Sequence, residues 1–587
     1  LQPVDFTTLT ALCAELRADW LPARLEQAFQ RDRFTLYLAL RTIEHRGWLK
    51  ISWHPQAAHL CISEPPPRIP DTFTFSQQLR HQLGGLALVA IGSIAPWERV
   101  IDLQFARRPG EPALWHLYIE IMGKYSNVIL ANQANQIVTA AHQVSTQQSS
   151  VRPILTGQPY EFPPPLTDPT PTLSESLERW QERLSLVPGP LCKNLLKGYR
   201  GLSSALVNSM IRAAQLDPDQ STASLNPVQW QALFQCWQAW LHALEKEVFH
   251  PGWTAQGYTV MGWGMTHPAS SVQEVVYRYY TAQLDRQEFS QLRHQISQRL
   301  NYLLEKLRVK EKGFRDRLQQ SDQADTYREQ ADLLMAHLHQ WQPGMKTISL
   351  PDFTTGEVVT IPLDPEKNAV QNAQSRYKRH QKLKRSRAAI TPLLAAVETE
   401  RRYLEQVEAS LSELTVYQSA GDLETLQEIR EELIQQGYLE NPEYRDRTQT
   451  PQEDSASEPY RYQTPNGLEV LVGRNNRQND QLTFRTAGDY DLWFHTQEIP
   501  GSHVLLRLRP GESPDASDLQ FTADIAAYHS RARQSEQVPV IYTEPKNVYK
   551  PKGAKPGMTV YKHEQVIWGQ PQRVKGEAGG ERKAGTP

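Results

Sequence analysis

Residues 289–318 read FSQLRHQISQRLNYLLEKLRVKEKGFRDRL, and this stretch decides the architecture. Apolar residues recur three or four apart at Phe289, Leu292, Ile296, Leu300, Leu303, Leu307, Phe314 and Leu318, with Glu, Gln, Lys and Arg between them. A stripe that narrow is covered by one partner helix rather than by a broad core. Residues 388–414 supply the partner through Ile390, Leu394, Val397, Leu404, Val407, Leu411 and Leu414. The pattern predicts a long antiparallel coiled-coil hairpin, arm 1 over 272–320 and arm 2 over 388–437. An arm of about 49 residues extends roughly 73 Å at 1.5 Å per residue. That reach suits a molecule that spans a large partner.

Between the arms, residues 321–387 predict a small tip. A short helix (327–341) precedes a hairpin pairing Thr347–Leu350 with Val358–Ile361. The run 375–387, SRYKRHQKLKRSR, then carries seven Lys/Arg in thirteen positions and no acid, whereas the arms mix both signs. A charge run is ordinarily a solvated helix face, but the absence of acids points to phosphate contact by Arg376, Lys378, Arg379, Lys382, Lys384 and Arg385. After the seam of the second arm ends at Leu414, an acidic helix is expected to start near Asp422 as its N-cap and to end at Gly437.

A chain of 587 residues allows three to five domains. Its net charge of −2 supplies no global attraction for nucleic acid, so any basic footprint is local. Cys13, Cys61, Cys192 and Cys236 form no C-x-x-C pair and read as thiols of a reducing compartment. The opening residues carry Asp5, Glu15, Arg17 and Asp19 without a long apolar core, and no window reaches the ~20 apolar residues of a membrane span. A cytoplasmic protein without membrane contact is the expectation.

Residues 1–166 alternate in the manner of an α/β domain, with a helix near Asp5–Arg17 and strands that include 100–105, 114–121 and 127–130. Proline and glycine close the unit at Gly157–Pro165, and 167–172 reads as a linker. Residues 173–250 are helical, and Leu191–Leu196, Gly198, Gly201 and Leu202–Leu216 resemble a helix–hairpin–helix. It is either a backbone N–H phosphate site or a tight turn between packed helices. A linker over 438–458, a compact α+β domain over 459–571 and an unstructured tail over 572–587 complete the order.

Two dense motifs follow. In 120–127, EIMGKYSN, a strand runs into Gly123, where Glu120, Lys124, Ser126 and Asn127 make either a phosphate cradle or an elaborate turn. In 474–479, Arg474, Asn475, Asn476 and Arg477 open a polar run suited to phosphates and base edges, while Trp493, Phe494 and His495 offer stacking surfaces. His495 and His503 lack a third ligand at typical metal spacing, and Ser502 lies outside a nucleophile elbow. No metal, cofactor or catalytic centre is expected. The run 546–556 interleaves Tyr549 with Lys546, Lys550, Lys552 and Lys555 and reads as RNA-facing.

Taken in order, these motifs resemble the NFACT family (fibronectin-binding-protein-A-like, bacterial RqcH type). The likeness is carried by Ile119–Leu130, Gly157 with 163–165, Ile361-Pro-Leu-Asp-Pro365, Asn372-Ala-Gln374, Gly473–Asp480, Trp493-Phe-His-Thr496 and Pro500-Gly-Ser-His503, and it runs to about residue 571. It implies a multidomain α+β protein: a glycosylase-like NFACT-N domain (1–166), a helix–hairpin–helix (173–250), the coiled-coil arms with their tip, and an NFACT-R domain (459–571). It also implies a ribosome quality control factor, monomeric on a stalled large (50S) subunit with its rRNA and peptidyl-tRNA. Such a factor recruits charged, alanyl tRNA so that the ribosome adds an untemplated tail to the obstructed nascent chain. In the family an early Asp and an Asp-Arg pair serve tRNA binding. Asp5 matches the first and Glu98-Arg99 the second, with an acid one methylene longer; Arg80 matches a further position.

Two rivals differ in class. A DNA glycosylase needs a reactive N-terminal proline beside a glutamate and a zinc finger, whereas this sequence opens Leu1-Gln2-Pro3 and lacks the finger pattern. A surface adhesin, suggested by the family's older name, needs an export signal and an anchor. Strand breakage on lesioned DNA or surface fractionation would separate them from an RNA-binding factor.

Overall fold

The computed structural model describes residues 1–66, 70–149, 152–164, 168–440 and 457–577, with side chains to residue 574. Its contacts divide the chain into two units, Leu1–Leu284 and Asp285–Pro587.

The first unit is built on nine antiparallel strands: β1 (Ala23–Asp32), β2 (Thr35–Arg41), β3 (Arg46–Ser52), β4 (His59–Ser63), β5 (Ala87–Ser93), β6 (Val100–Ala106), β7 (Trp115–Glu120), β8 (Asn127–Asn132) and β9 (Ile137–Ala140). Their order is β4-β3-β2-β1-β5-β6-β7-β8-β9. The helix Phe6–Trp20 starts where Asp5 Oδ1 accepts from the Thr8 N–H at 2.8 Å. It buries Leu9, Leu12, Leu16 and Trp20 against strand residues such as Leu25, Leu36 and Leu38. Gly47 is required under Trp20, because a Cβ there would sit 2.5 Å from the indole.

Four helices follow at Leu177–Ser185, Leu191–Gly198, Ser204–Ala213 and Pro227–Lys246. They enclose Trp180, Trp237 and Trp240, all fully buried. The last helix begins with a capping box of Asn226 and Gln229 and a proline at its first turn. A long helix, Val272–Ser321, comes next. Val272, Val275, Val276, Tyr279 and Tyr280 at its start belong to the core of the first unit rather than to an arm seam.

In the second unit Phe289, Leu292, Ile296, Leu300, Leu304 and Leu307 share one apolar cluster with Val397, Leu404, Val407, Leu411 and Leu414 of the helix Ala369–Glu413. A third helix, Ala420–Gln435, adds Leu426, Ile429 and Leu433 to that cluster. Its N-cap is Ser419. Asp422 lies three residues inside and accepts from the backbone N–H groups of Gln418 (2.8 Å) and Ser419 (3.0 Å). The N-cap expected at Asp422 is corrected accordingly.

The tip pairs Thr347–Pro351 with Val358–Pro362, Ile348 opposite Ile361. Together with Leu333 and Leu334 of the helix Ala324–Ala336, this hairpin forms a small core of its own. The basic run continues the helix Ala369–Glu413 without a break.

A six-stranded antiparallel sheet closes the chain in the order Tyr460–Gln463, Glu469–Val472, Val504–Leu506, Leu492–Thr496, Val538–Thr543 and Gln565–Gly569. The helix Ala516–Tyr528 packs on it. The tail expected to be unstructured from 572 begins as a helix, Pro571–Glu577. Val574 is buried in the apolar cluster of Ala523 and Ala527, and the Gln570 N–H donates to Asp524 Oδ1 at 2.6 Å. Most of the linker expected over 438–458, part of the Gly157–Pro165 closure and the tail beyond 577 lie outside the described residues.

Candidate nucleic-acid interface

The β5–β6 turn carries Glu98 and Arg99. Trp97 at its apex adopts φ 67°. Its indole lies 4.8 Å from the Phe6 ring and 5.6 Å from Trp240, and a Cβ at Gly201 would approach it to 2.5 Å. The left-handed Trp97 and the glycine that admits it fix the turn against the start of the first helix. Glu98 Oε1 is buried without a hydrogen-bond partner among the described residues, and Arg99 is half-buried with no ion pair among them. Asp5, one residue before Phe6, is largely committed. Beyond its cap to Thr8, its Oδ2 accepts from the Ser203 hydroxyl at 2.5 Å. Arg80 donates to Asp71 Oδ2 at 3.1 Å, and Asp71 also accepts from the Gln30 and Phe73 N–H groups.

The Gly123 turn separates its residues. Gly123 has φ 58° in a short 3-10 turn, as the glycine in that motif suggested. Glu120 is 1% exposed and forms a bidentate pair with Arg152 (2.5 and 3.0 Å), while the Tyr160 hydroxyl donates to it at 2.8 Å. Ser126 accepts from the Met122 N–H, and Asn127 binds both backbone groups of His142. These three side chains are spent internally, which corrects their reading as RNA contacts. Lys124 stays exposed, its ammonium 4.9 Å from the ring centroid of exposed Tyr125.

At the tip, Lys378, Arg379, Lys382, Lys384 and Arg385 are exposed, and none pairs with a carboxylate among the described residues. Arg376 is half-buried. Its guanidinium donates to Gln330 Oε1 at 2.5 Å and to the Pro362 carbonyl. Arg387 pairs with Asp322 at 3.1 Å.

The polar run 474–479 is turned inward. Arg474 Nη2 donates to Asp422 Oδ1 at 2.7 Å, Asn475 to Glu428, and Asn476 to Glu432 Oε1 at 3.0 Å. Arg477 reaches Glu431 at 3.3 Å, and Gln478 holds Ser457. Arg474, Asn475, Asn476 and Gln478 are buried; the first three dock the terminal domain on the acidic helix and Gln478 ties Ser457 to the Arg474 N–H, so none faces a nucleic acid. Trp493 and Phe494 are fully buried, so neither offers a stacking face. Thr483 Oγ1 accepts from Trp493 Nε1 at 3.0 Å and lies 2.7 Å from His503 Nδ1. Burial holds both histidines in the neutral form, lowering His495 to about 4 and His503 to about 3. Among the described residues no group of three or more His, Cys, Asp or Glu is placed to hold a metal ion.

The lysine loop is divided. Lys546 is exposed beside Glu544, and Lys550 pairs with Asp480. Lys555 lies over the rings of Tyr403 (4.6 Å) and Tyr438 (4.4 Å), where burial lowers its pKa. The exposed aromatic groups of this domain are Phe484, Tyr490, Tyr549 and Trp568. Sequence reasoning missed Trp568. It stands on the edge strand Gln565–Gly569, and the alternation of that strand was the signal available.

Residues 5–452 match the family model of NFACT N-terminal and middle domains, and residues 458–562 match that of the NFACT protein RNA binding domain. The chain belongs to the NFACT family. The NFACT relative "Rqc2 homolog RqcH" of Streptococcus suis (strain 05ZYH33) is 30% identical over 573 residues, 95% of this chain and 96% of that protein. The protein of the same name from Bacillus subtilis (strain 168) is 28% identical over 582 residues, with the same coverage. Among solved structures, the C-terminal part of the fibronectin/fibrinogen-binding protein from Streptococcus suis is 30% identical and covers 49% of this chain and 98% of that one, with a TM-score of 0.36. Its N-terminal part is 22% identical and covers 47% and 98%, with a TM-score of 0.38. In this NFACT chain the RNA-binding match includes Lys546, Tyr549 and Lys550, and it ends at Lys562, before the last strand of the terminal sheet and Trp568. No helix among the described residues is long and apolar enough to cross a membrane.

Proposed function

We propose that this NFACT protein is a cytoplasmic ribosome quality control factor. It binds large ribosomal subunits that still hold peptidyl-tRNA and recruits charged tRNA, alanyl in kind. The peptidyl-transferase centre of the ribosome then extends the stalled chain with an untemplated alanine tail. The protein contributes geometry rather than a nucleophile, and needs no cofactor. The observation that carries this reading is the pair of family matches, which together run from residue 5 to 562 and end in an RNA-binding domain.

In this reading the Glu98–Arg99 turn takes the tRNA, and the tip and the terminal domain grip rRNA. Arg99 supports that role as a guanidinium without a carboxylate partner among the described residues, placed to make charge-assisted bonds to phosphate or a base edge. Glu98 keeps the acid of the family pair on a longer side chain. The helix pair formed by Ser204–Ala213 and its predecessor acts here as a helix–hairpin–helix, and the long helices act as coiled-coil arms.

The test is recovery of the protein from cells with stalled translation, followed by gradient fractionation and sequencing of bound RNA. Co-migration with large subunits and enrichment of tRNA is the expected result; a chain free of both sinks the proposal. Arg99→Ala is expected to lose tRNA while keeping subunit association. Full tRNA occupancy in that variant would remove Arg99 from the site.

A further inference from the structure

A cavity of about 310 Å³ opens at the tip beside the first turns of the helix Ala369–Glu413. Tyr327, Lys367, Asn372, Ser375, Arg376 and Arg379 line it. Its volume sits at the lower end of ligand clefts, which begin near 300 Å³.

The charges around it do not balance. Lys367 is neutralised by Asp364, also in the wall, at 2.7 Å. Asn372 is spent on backbone, donating to the Asp364 and Lys367 carbonyls and accepting from the Asp364 N–H. Two guanidinium groups remain. Arg376 is half-buried and oriented by two neutral acceptors, Gln330 and the Pro362 carbonyl. Arg379, three residues on, is exposed and without a partner among the described residues. A cation withdrawn from water and met only by neutral acceptors is stabilised by an incoming anion. Burial accordingly lowers the Arg376 pKa. The positive end of a 45-residue helix adds to the same field.

We propose that this cavity is a phosphate site, in which Arg376 and Arg379 clamp one phosphodiester of an RNA strand beside Ser375 and Tyr327. The proposal rests on the reading of the chain as RNA-binding and names the group that the tip holds. Planar, multi-donor guanidinium groups suit the tetrahedral oxygens of phosphate, and fixing one of them in advance reduces the ordering cost of binding. The exposed cations Lys378, Lys382, Lys384 and Arg385 continue along the same helix and extend the track for the strand.

The experiment measures the affinity of the full chain for a short labelled single-stranded RNA across a salt series. Arg379→Gln, which removes an unpartnered exposed group, is expected to lower the slope of log affinity against log salt by about 0.7, one single-strand phosphate contact. Ser375→Trp leaves the charge unchanged and fills the cavity, and is expected to weaken binding comparably. RNA is further expected to shield Arg379 from phenylglyoxal more strongly than inorganic phosphate does. If Ser375→Trp binds RNA as tightly as the parent, the tip acts by diffuse charge and the pocket proposal falls. Shielding by inorganic phosphate without shielding by RNA replaces the strand with a free anion and also overturns it. A parent chain that binds no RNA overturns the broader function as well, so the two failures are distinct.

Discussion

Arg474 and Asp422 face one another at 2.7 Å, and both side chains are about nine-tenths buried. The pair joins the start of the terminal sheet domain to the first turn of the helix Ala420–Gln435, where Asp422 also holds two backbone N–H groups. Removing the cation leaves a buried carboxylate without its counter-charge. Arg474→Ala is therefore expected to destabilise the second unit by about 3–5 kcal/mol, read as a lowered denaturation midpoint. A change below about 1 kcal/mol would show the pair to be solvated.

Glu120 is expected to behave in the same way. With Arg152 and Tyr160 both bound to it, Glu120→Ala leaves a half-buried guanidinium unpaired and costs about 3–5 kcal/mol. At temperatures where the variant stays folded, tRNA occupancy remains at the parental level. Loss of tRNA without loss of stability would return Glu120 to the binding site.

His495 and His503 give a pH dependence whose sign is fixed. Their folded pKa values, about 4 and about 3, lie below the unfolded value near 6.5, so the unfolded chain takes up protons first as the pH falls. Stability is fully present above about pH 6.5 and declines below it, by about 2 kcal/mol per histidine at pH 5. Urea unfolding at pH 7 and pH 5 measures the difference, and His503→Asn is expected to flatten it. An equal slope in parent and variant would assign the acid sensitivity to other groups.

Trp568 is 55% exposed on the edge strand Gln565–Gly569 of the six-stranded terminal sheet. Trp568→Ala is expected to leave the melting temperature nearly unchanged. It should weaken single-stranded RNA binding by about 1–3 kcal/mol if one base stacks there. Unchanged affinity would exclude this face from the RNA path.

The long helices were legible because their apolar spacing is local and repeats over many turns, as the cluster of Phe289, Leu292, Ile296, Val397 and Leu404 illustrates. The tip hairpin was legible for the same reason, its alternation matching Ile348 opposite Ile361. β1 escaped notice. Register shifts at Leu25/Gln27 and Gln30/Asp32 break the two-residue period by which a strand is read. The interior fate of 474–479 was hidden for a different reason. A polar run reads as solvent-facing until its acceptors are known, and Asp422, Glu428 and Glu432 lie 44 to 52 residues earlier. Trp493 misled because a strand aromatic covered on both faces has the same spacing as one covered on a single face.

The helix Ala369–Glu413 contains Pro392, which offers no N–H to the carbonyl four residues before it. On one side of that residue stand the tip cations. On the other, Gln406 accepts from the Gly501 N–H at 3.2 Å and Glu413 meets His529 at 2.8 Å. A lever with one softened joint results: a tilt forced on its outer end is taken up first at Pro392, and only the remaining torque reaches the sheet.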